Sequence, residues 1–124
     1  MKGFMFQVKV LDNTHRIVHL IWEGSVTKQE IADSNDALEN AIKQVGAPFK
    51  FLVDTSKLKL IQPDAAEASV AQQKQFLSRI EKLAVVNTSQ LTKLQLRKIG
   101  EQSEANKQEN FFTSMDEAIS FLKN

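Results

Sequence analysis

The chain has 124 residues, enough for one domain and too few for two that each bury a core. Hydrophobic residues make up 42% of it and charged residues 25%, the balance of an ordinary globular protein, which excludes a disordered or membrane-embedded class. Sixteen Lys and Arg against fifteen Asp and Glu leave a formal charge of +1, so no global field attracts nucleic acid or anionic lipid; the lack of cysteine excludes disulfides, thiolate metal sites and cysteine nucleophiles.

At the start, Met1 to Lys9 carries charge too early for the apolar core of a signal peptide, and no later apolar run approaches the roughly 20 residues a membrane helix needs. A cytoplasmic protein without membrane insertion is expected. Phe4, Phe6, Val8 and Val10 alternate with Met5, Gln7, Lys9 and Leu11, the period of a strand with one buried face. Asp12-Asn13-Thr14 reads as a turn. Arg16 to Glu23 is apolar on both sides, with Val18, Leu20 and Trp22 on one and Ile17 and Ile21 on the other, as in a strand covered twice. Together they predict an N-terminal hairpin.

Thr27 and Glu30 have the spacing of a capping box, so a helix starts there. Ile31, Ala37 or Leu38, Ala41, Ile42 and Val45 form its apolar side, and Gly46 with Pro48 ends it. Phe49 to Asp54 is a short apolar strand, from which Thr55 to Gln62 leads as a loop to a helix opening on Pro63 and Asp64. Ala66, Val70, Gln73, Leu77 and Ile80 form one stripe of that helix, with Phe76 beside it. Leu83 to Val86 is the next strand. Ser89 caps a helix carrying Leu91, Leu94 and Ile99, with Gly100 as its stop. Glu101 to Glu109 is polar apart from Ala105 and reads as an exposed helix tail and loop. Phe111 and Phe112 form a last strand, and Ser114 with Glu117 caps a helix containing Ala118, Ile119, Phe121 and Leu122.

The strand-helix alternation predicts a single α/β domain over residues 1–124, with a mixed, mostly parallel five-stranded sheet, about four helices and an antiparallel hairpin at one edge.

Three stretches carry a family resemblance: Phe51-Leu52-Val53-Asp54 running through Thr55-Ser56-Lys57-Leu58 to a helix, Leu83-Ala84-Val85-Val86, and Phe111 to Leu122. In order and character the chain resembles the STAS-like (SpoIIAA-like) domains, the family of bacterial anti-sigma-factor antagonists and of the cytoplasmic domains of sulfate transporters. The resemblance implies that fold and a non-enzymatic regulatory role exercised through a protein partner. In the classical members it also implies a phosphorylated Ser or Thr at the start of the helix after the third strand. Here that place reads Ile61-Gln62-Pro63-Asp64-Ala65-Ala66-Glu67 and holds no hydroxyl, while Ser69 lies more than a turn further in. The partner-binding residues expected from the resemblance are Leu58, Leu60, Asp64 and Ser69.

Each polar candidate has an ordinary explanation beside the functional one. Asp64 and Glu67 suit the positive end of a helix, where each contributes about 0.3–1 kcal/mol; alternatively Asp64 is a fixed negative charge in place of a phosphoserine. Asp54 ends a central strand, where open α/β sheets place ligands, and equally suits a turn with Thr55 and Ser56. His15 and His19 lack the converging carboxylates of a metal site and the placed nucleophile of a catalytic one. No catalytic residue, metal or cofactor is assigned. Gly24 and Gly46 belong to no phosphate-binding loop, and no nucleic-acid partner is expected. Lys93, Arg97 and Lys98 form a small basic patch. Leu58, Leu60 and Ile61 are apolar loop residues that either fold back into the core or, with Asp54, Val70 and Phe76, border a groove. A groove favours a partner, whereas an enclosed cavity favours a carrier of a small apolar, lipid-like ligand.

Overall fold

In the computed structural model, which describes residues 6–124, the alternating segment forms β1 (Phe6–Asp12) and the doubly apolar segment β2 (Ile17–Val26). Phe4 and Met5 of the expected alternation lie outside the described residues. The two strands pair antiparallel, Phe6 opposite Trp22 and Val10 opposite Val18. Asp12 closes their turn: Oδ1 accepts the His15 amide at 3.0 Å and Oδ2 lies 2.9 Å from His15 Nδ1. Those bonds, chiefly the one from the His15 amide, pull the Asp12 carboxyl down to about 2.

Helix α1 (Lys28–Val45) begins with the expected capping box: Thr27 accepts from the Glu30 amide and Glu30 accepts from the Thr27 amide. Gly46, at φ +88°, ends it in a conformation that side chains rarely adopt. β3 (Phe49–Ile61) follows, then α2 (Pro63–Phe76), β4 (Ile80–Val86), α3 (Gln90–Ser103), β5 (Glu109–Phe112) and α4 (Met115–Lys123). Single 3₁₀ turns occupy Leu77–Arg79 and Ala105–Lys107.

The five strands lie in chain order, with β1 antiparallel and all others parallel. Crossovers of one hand that always advance to the next strand put their helices on one face. Accordingly α1, α2 and α3 cover the face bearing Val18, Leu20, Phe51, Leu83 and Val85. On the opposite face α4 inserts Ala118 and Leu122 among Ile17, Leu52, Ala84 and Val86. Being buried on both sides explains why β2, β3 and β4 read as nearly continuous apolar runs.

Five expectations are corrected. Thr55 to Ile61 is no loop but the outer half of β3, which stays paired with β2 as far as Ile61 opposite Val26. Bulges in β3, one opposite Trp22 and one at Lys59 opposite the Gly24–Ser25 step, let the pair bend, and Gly24 takes φ +66° there. The buried stripe of α2 is Ala65, Ser69, Gln72 and Phe76, rotated from the expected one, and Ile80 opens β4 instead of ending that helix. Polar pairing sets this rotation: Gln72 Nε2 donates to Ser34 Oγ at 2.7 Å and Asn35 Oδ1 at 2.8 Å on α1, so a buried amide is satisfied.

On α3 the core face is Thr92, Leu96, Ile99, Gly100 and Ser103, whereas Leu91 and Leu94 point to solvent. Gly100 does not stop the helix. It makes room for Glu109, whose Oε1 would lie 2.6 Å from a Cβ at that position. The stretch after it is not a free tail either, because Ser103 and Ala105 are buried. Ser103 Oγ donates to Gln73 Oε1, joining α3 to α2.

These placements separate two leucines of equal hydrophobicity. Leu122→Ala is expected to lower unfolding free energy by about 2–5 kcal/mol, as for other buried leucines, and Leu94→Ala by less than about 0.5 kcal/mol. Urea denaturation followed by circular dichroism checks the contrast.

Candidate functional site

The outer half of β3 rises past the end of β4, carried by β2. Its free side is met by α3. Ile61 donates its amide to Gln95 Oε1 at 3.1 Å, and its carbonyl accepts from Gln95 Nε2 at 3.2 Å. The neighbouring Gln62 amide points the other way, to Val26 O of β2. Gln95 therefore supplies the donor and acceptor that a neighbouring strand would have supplied, and a strand end without a strand partner is satisfied.

Below this contact lies a fully paired polar cluster. Thr55 Oγ1 donates to Val86 O at 2.7 Å, and Asn87 Nδ2 donates to Thr55 Oγ1 at 3.0 Å and Thr92 Oγ1 at 2.8 Å. All three residues are buried. The cluster ties the ends of β3 and β4 to the start of α3, where the Ser89 hydroxyl caps the helix. Sequence reasoning found the cap but missed Asn87, Thr92 and Gln95; an Asn directly after an apolar strand was the only signal.

The residues expected at the surface divide. Leu60, 39% exposed, and Asp64, in the exposed first turn of α2, lie there. Leu58 and Ser69 do not: at 4% and 9% exposure they face the core, because the pairing with β2 turns Leu58 inward and Ser69 lies on the buried stripe of α2. Of the groove candidates, Ile61 and Phe76 line an apolar cavity of about 60 Å³ between the sheet and α1, α2 and α3. Leu20, Phe51, Leu58 and Ile99 also line it, with Ser69, Gln73 and Glu109 as polar members. Val70 packs partly buried against the core, outside the cavity lining.

Asp54 sits in a turn of its own making: Oδ1 accepts from the Ser56 amide at 3.0 Å and from Ser56 Oγ at 2.7 Å. His19 lies on the same face of the sheet, opposite Leu52, with Asp54 two residues beyond on β3. No hydrogen bond joins them. His19 is 4% exposed, and neither ring nitrogen has a hydrogen-bond partner. Burial first, and Lys9 second, hold its pKa below the usual histidine value against the pull of Asp54. The two side chains thus lack the mutual contact of a base and its orienting group.

This arrangement defines a class: an α/β module with a mixed five-stranded sheet, three helices on one face, one on the other, and an overhanging strand pair that leads into α2. The model of the SpoIIAA-like family matches residues 17–123, and the chain belongs to that family. No curated protein matches the sequence significantly. Among solved structures, an uncharacterised DUF3478-family protein with a SpoIIAA-like fold from Shewanella loihica PV-4 superposes with a TM-score of 0.77 at 14% identity, covering 98% of this chain and 97% of that one. The anti-sigma factor antagonist SpoIIAA in its unphosphorylated form gives a TM-score of 0.66 at 12% identity, covering 96% and 98%. The protein TM1081 also gives 0.66, at 14% identity, covering 100% and 93%. At such identities the likeness establishes the fold.

Glu109 and His19 both cost stability, with opposite dependence on pH. Burial raises the Glu109 carboxyl to about 7 despite nearby Arg97. Its cost is absent below pH 4.5, grows as pH rises toward 7, and is complete above that, because the folded state holds the proton that the unfolded state has lost. For His19 the folded state resists protonation, so stability falls as pH drops below 6.5. Glu109→Gln is expected to remove the alkaline loss and stabilise the protein by about 1–2 kcal/mol at pH 8, solvent screening at this partly exposed group included. Urea midpoints at pH 5 and pH 8 test it, the gain being confined to the higher pH. Gln95→Ala is expected to cost about 1–3 kcal/mol, since it leaves both polar groups of Ile61 unpaired.

Proposed function

We propose that this domain is a non-enzymatic regulatory module that docks a protein partner through the overhang of β3 and the first turn of α2, with Leu60 and Asp64 as contact residues. One observation carries the reading: the overhang and helix start present an apolar and an acidic side chain four residues apart in sequence, on backbone held by β2 and Gln95. Rigid presentation lowers the ordering cost of binding. The solved relative named as an anti-sigma factor antagonist shares the fold and supports a role of this kind.

The first turn of α2 offers no hydroxyl, and its first serine, Ser69, is buried against the core. In this reading the partner is therefore not released by phosphorylation at that place. Asp64 instead holds a constant negative charge at the helix start, where the dipole also favours it.

The cavity supports a second reading, a carrier or sensor of a small apolar ligand. Its volume of about 60 Å³ falls below the roughly 150 Å³ that admits benzene in an engineered cavity. A lipid-sized ligand would require the helix layer to part from the sheet, which places this reading second.

Native mass spectrometry of the protein purified from its own host, under gentle and then denaturing conditions, separates the two. A small adduct lost on denaturation supports the carrier, and a co-purified protein supports the module. For a partner so captured, Leu60→Asp is expected to weaken binding by at least about tenfold while leaving the urea midpoint nearly unchanged, the pattern of a surface contact residue.

A further inference from the structure

Deepening the interaction reading above, we propose that Leu60 on β3 and Leu91 and Leu94 on α3 form one apolar patch, rimmed by lysines, that docks an acidic, leucine-bearing segment of a protein partner. Among the described residues the large hydrophobic side chains left exposed are Leu11, Leu60, Leu91 and Leu94. Three of these four lie on the two segments joined by the bonds between Ile61 and Gln95. Leu60 precedes Ile61, which is bonded through its backbone to Gln95, and Leu94 and Leu91 stand one residue and one turn before Gln95 on α3. At 59% and 64% exposure, Leu91 and Leu94 present most of their side chains to water. Single exposed leucines are ordinary, but three on two elements pinned together make a shared surface.

Charge selects the occupant. Residues 55–63 and 87–100, the segments that build the junction, contain Lys57, Lys59, Lys93, Arg97 and Lys98, against Asp54, Asp64 and Glu101 just beyond their ends, in a chain whose total charge is only +1. Lys93 and Arg97 lean over the Phe111 ring on the far side of α3, at 5.4 Å and 5.8 Å. Lys57, Lys59 and Lys98 are exposed, and Lys98 follows Leu91 and Leu94 along the same outer face of the helix. An apolar centre with a basic rim matches a segment whose leucines enter the patch and whose carboxylates meet the lysines. Nothing in that pairing needs a fixed sequence, only leucines at helical spacing among acids.

The test is a titration of the ¹⁵N-labelled full chain, followed by amide NMR shifts, with two helical peptides of about sixteen residues that share leucine positions and carry either Glu or Lys elsewhere. Expected is binding of the Glu peptide with shifts centred on Lys57–Ile61 and Leu91–Lys98, at least about tenfold tighter than the Lys peptide, and weakened at least about tenfold by Leu94→Glu. Equal affinities, absence of binding, or shifts centred elsewhere overturn the proposal. Shifts produced by phosphatidylglycerol vesicles and by neither peptide overturn it in favour of a membrane surface, and concentration-dependent shifts without peptide in favour of a second copy of the chain. A host partner lost with Leu60→Asp yet retained by Leu94→Glu and Lys98→Glu overturns this docking mode and leaves the interaction module standing.

Discussion

The parallel pairing of β2 with β3, from Ile17 opposite Lys50 to Val26 opposite Ile61, is the constraint on which the other elements depend. Within the sheet it buries both faces of both strands. Beyond the sheet it continues without β4, and this continuation delivers the chain to the start of α2 above the helix layer. Because a strand end with one free side leaves peptide groups unpaired, the extension needs a substitute partner. Gln95 is that substitute, and it couples the position of α3 to the position of β3.

The two faces of the sheet are stabilised differently. Three helices share one face, and their mutual packing includes polar contacts, Gln72 with Ser34 and Asn35 and Ser103 with Gln73, that fix their rotation. Apolar contact alone would tolerate several rotations; hydrogen bonds with one geometry do not. The other face has only α4 among the described helices, anchored by Leu122 within the core and by Lys82 Nζ donating to Phe121 O at 3.2 Å. The neutral His19 on that face, without hydrogen-bond partners, and Glu109 beside the cavity on the other are the costs that the surrounding packing offsets.

The proposed docking surface lies where the polar and apolar logics of the fold meet. The paired cluster of Thr55, Asn87 and Thr92 makes the end of the sheet rigid, and directly outside it the side chains become apolar and basic without a buried purpose. Rigid backbone carrying unspent hydrophobic surface is the property that the proposed interaction module requires.

Alternation, apolar runs, capping pairs and turn residues are enough to place the five described strands, except for the outer half of β3, the four main helices and the mixed sheet, because each is a local pattern repeated along the chain. Asp54 was readable as the acceptor of its own turn for the same reason. The family resemblance pointed to the β3–α2 region, but not to which of its residues reach the surface. Leu58 and Leu60 look alike in sequence; pairing with β2 over bulges sends one inward and the other out. Ser69 reads as a partner contact, yet the packing of the α2 stripe draws it in, and Gln72 is held beside it by partners on another helix. Leu91 and Leu94 read as core, yet the rotation of α3 is decided by Thr92, Leu96 and Ile99 together with the room Gly100 leaves for Glu109. Local periodicity is written in the chain itself, whereas the rotation of a helix and the side a strand residue faces depend on contacts between residues far apart in sequence.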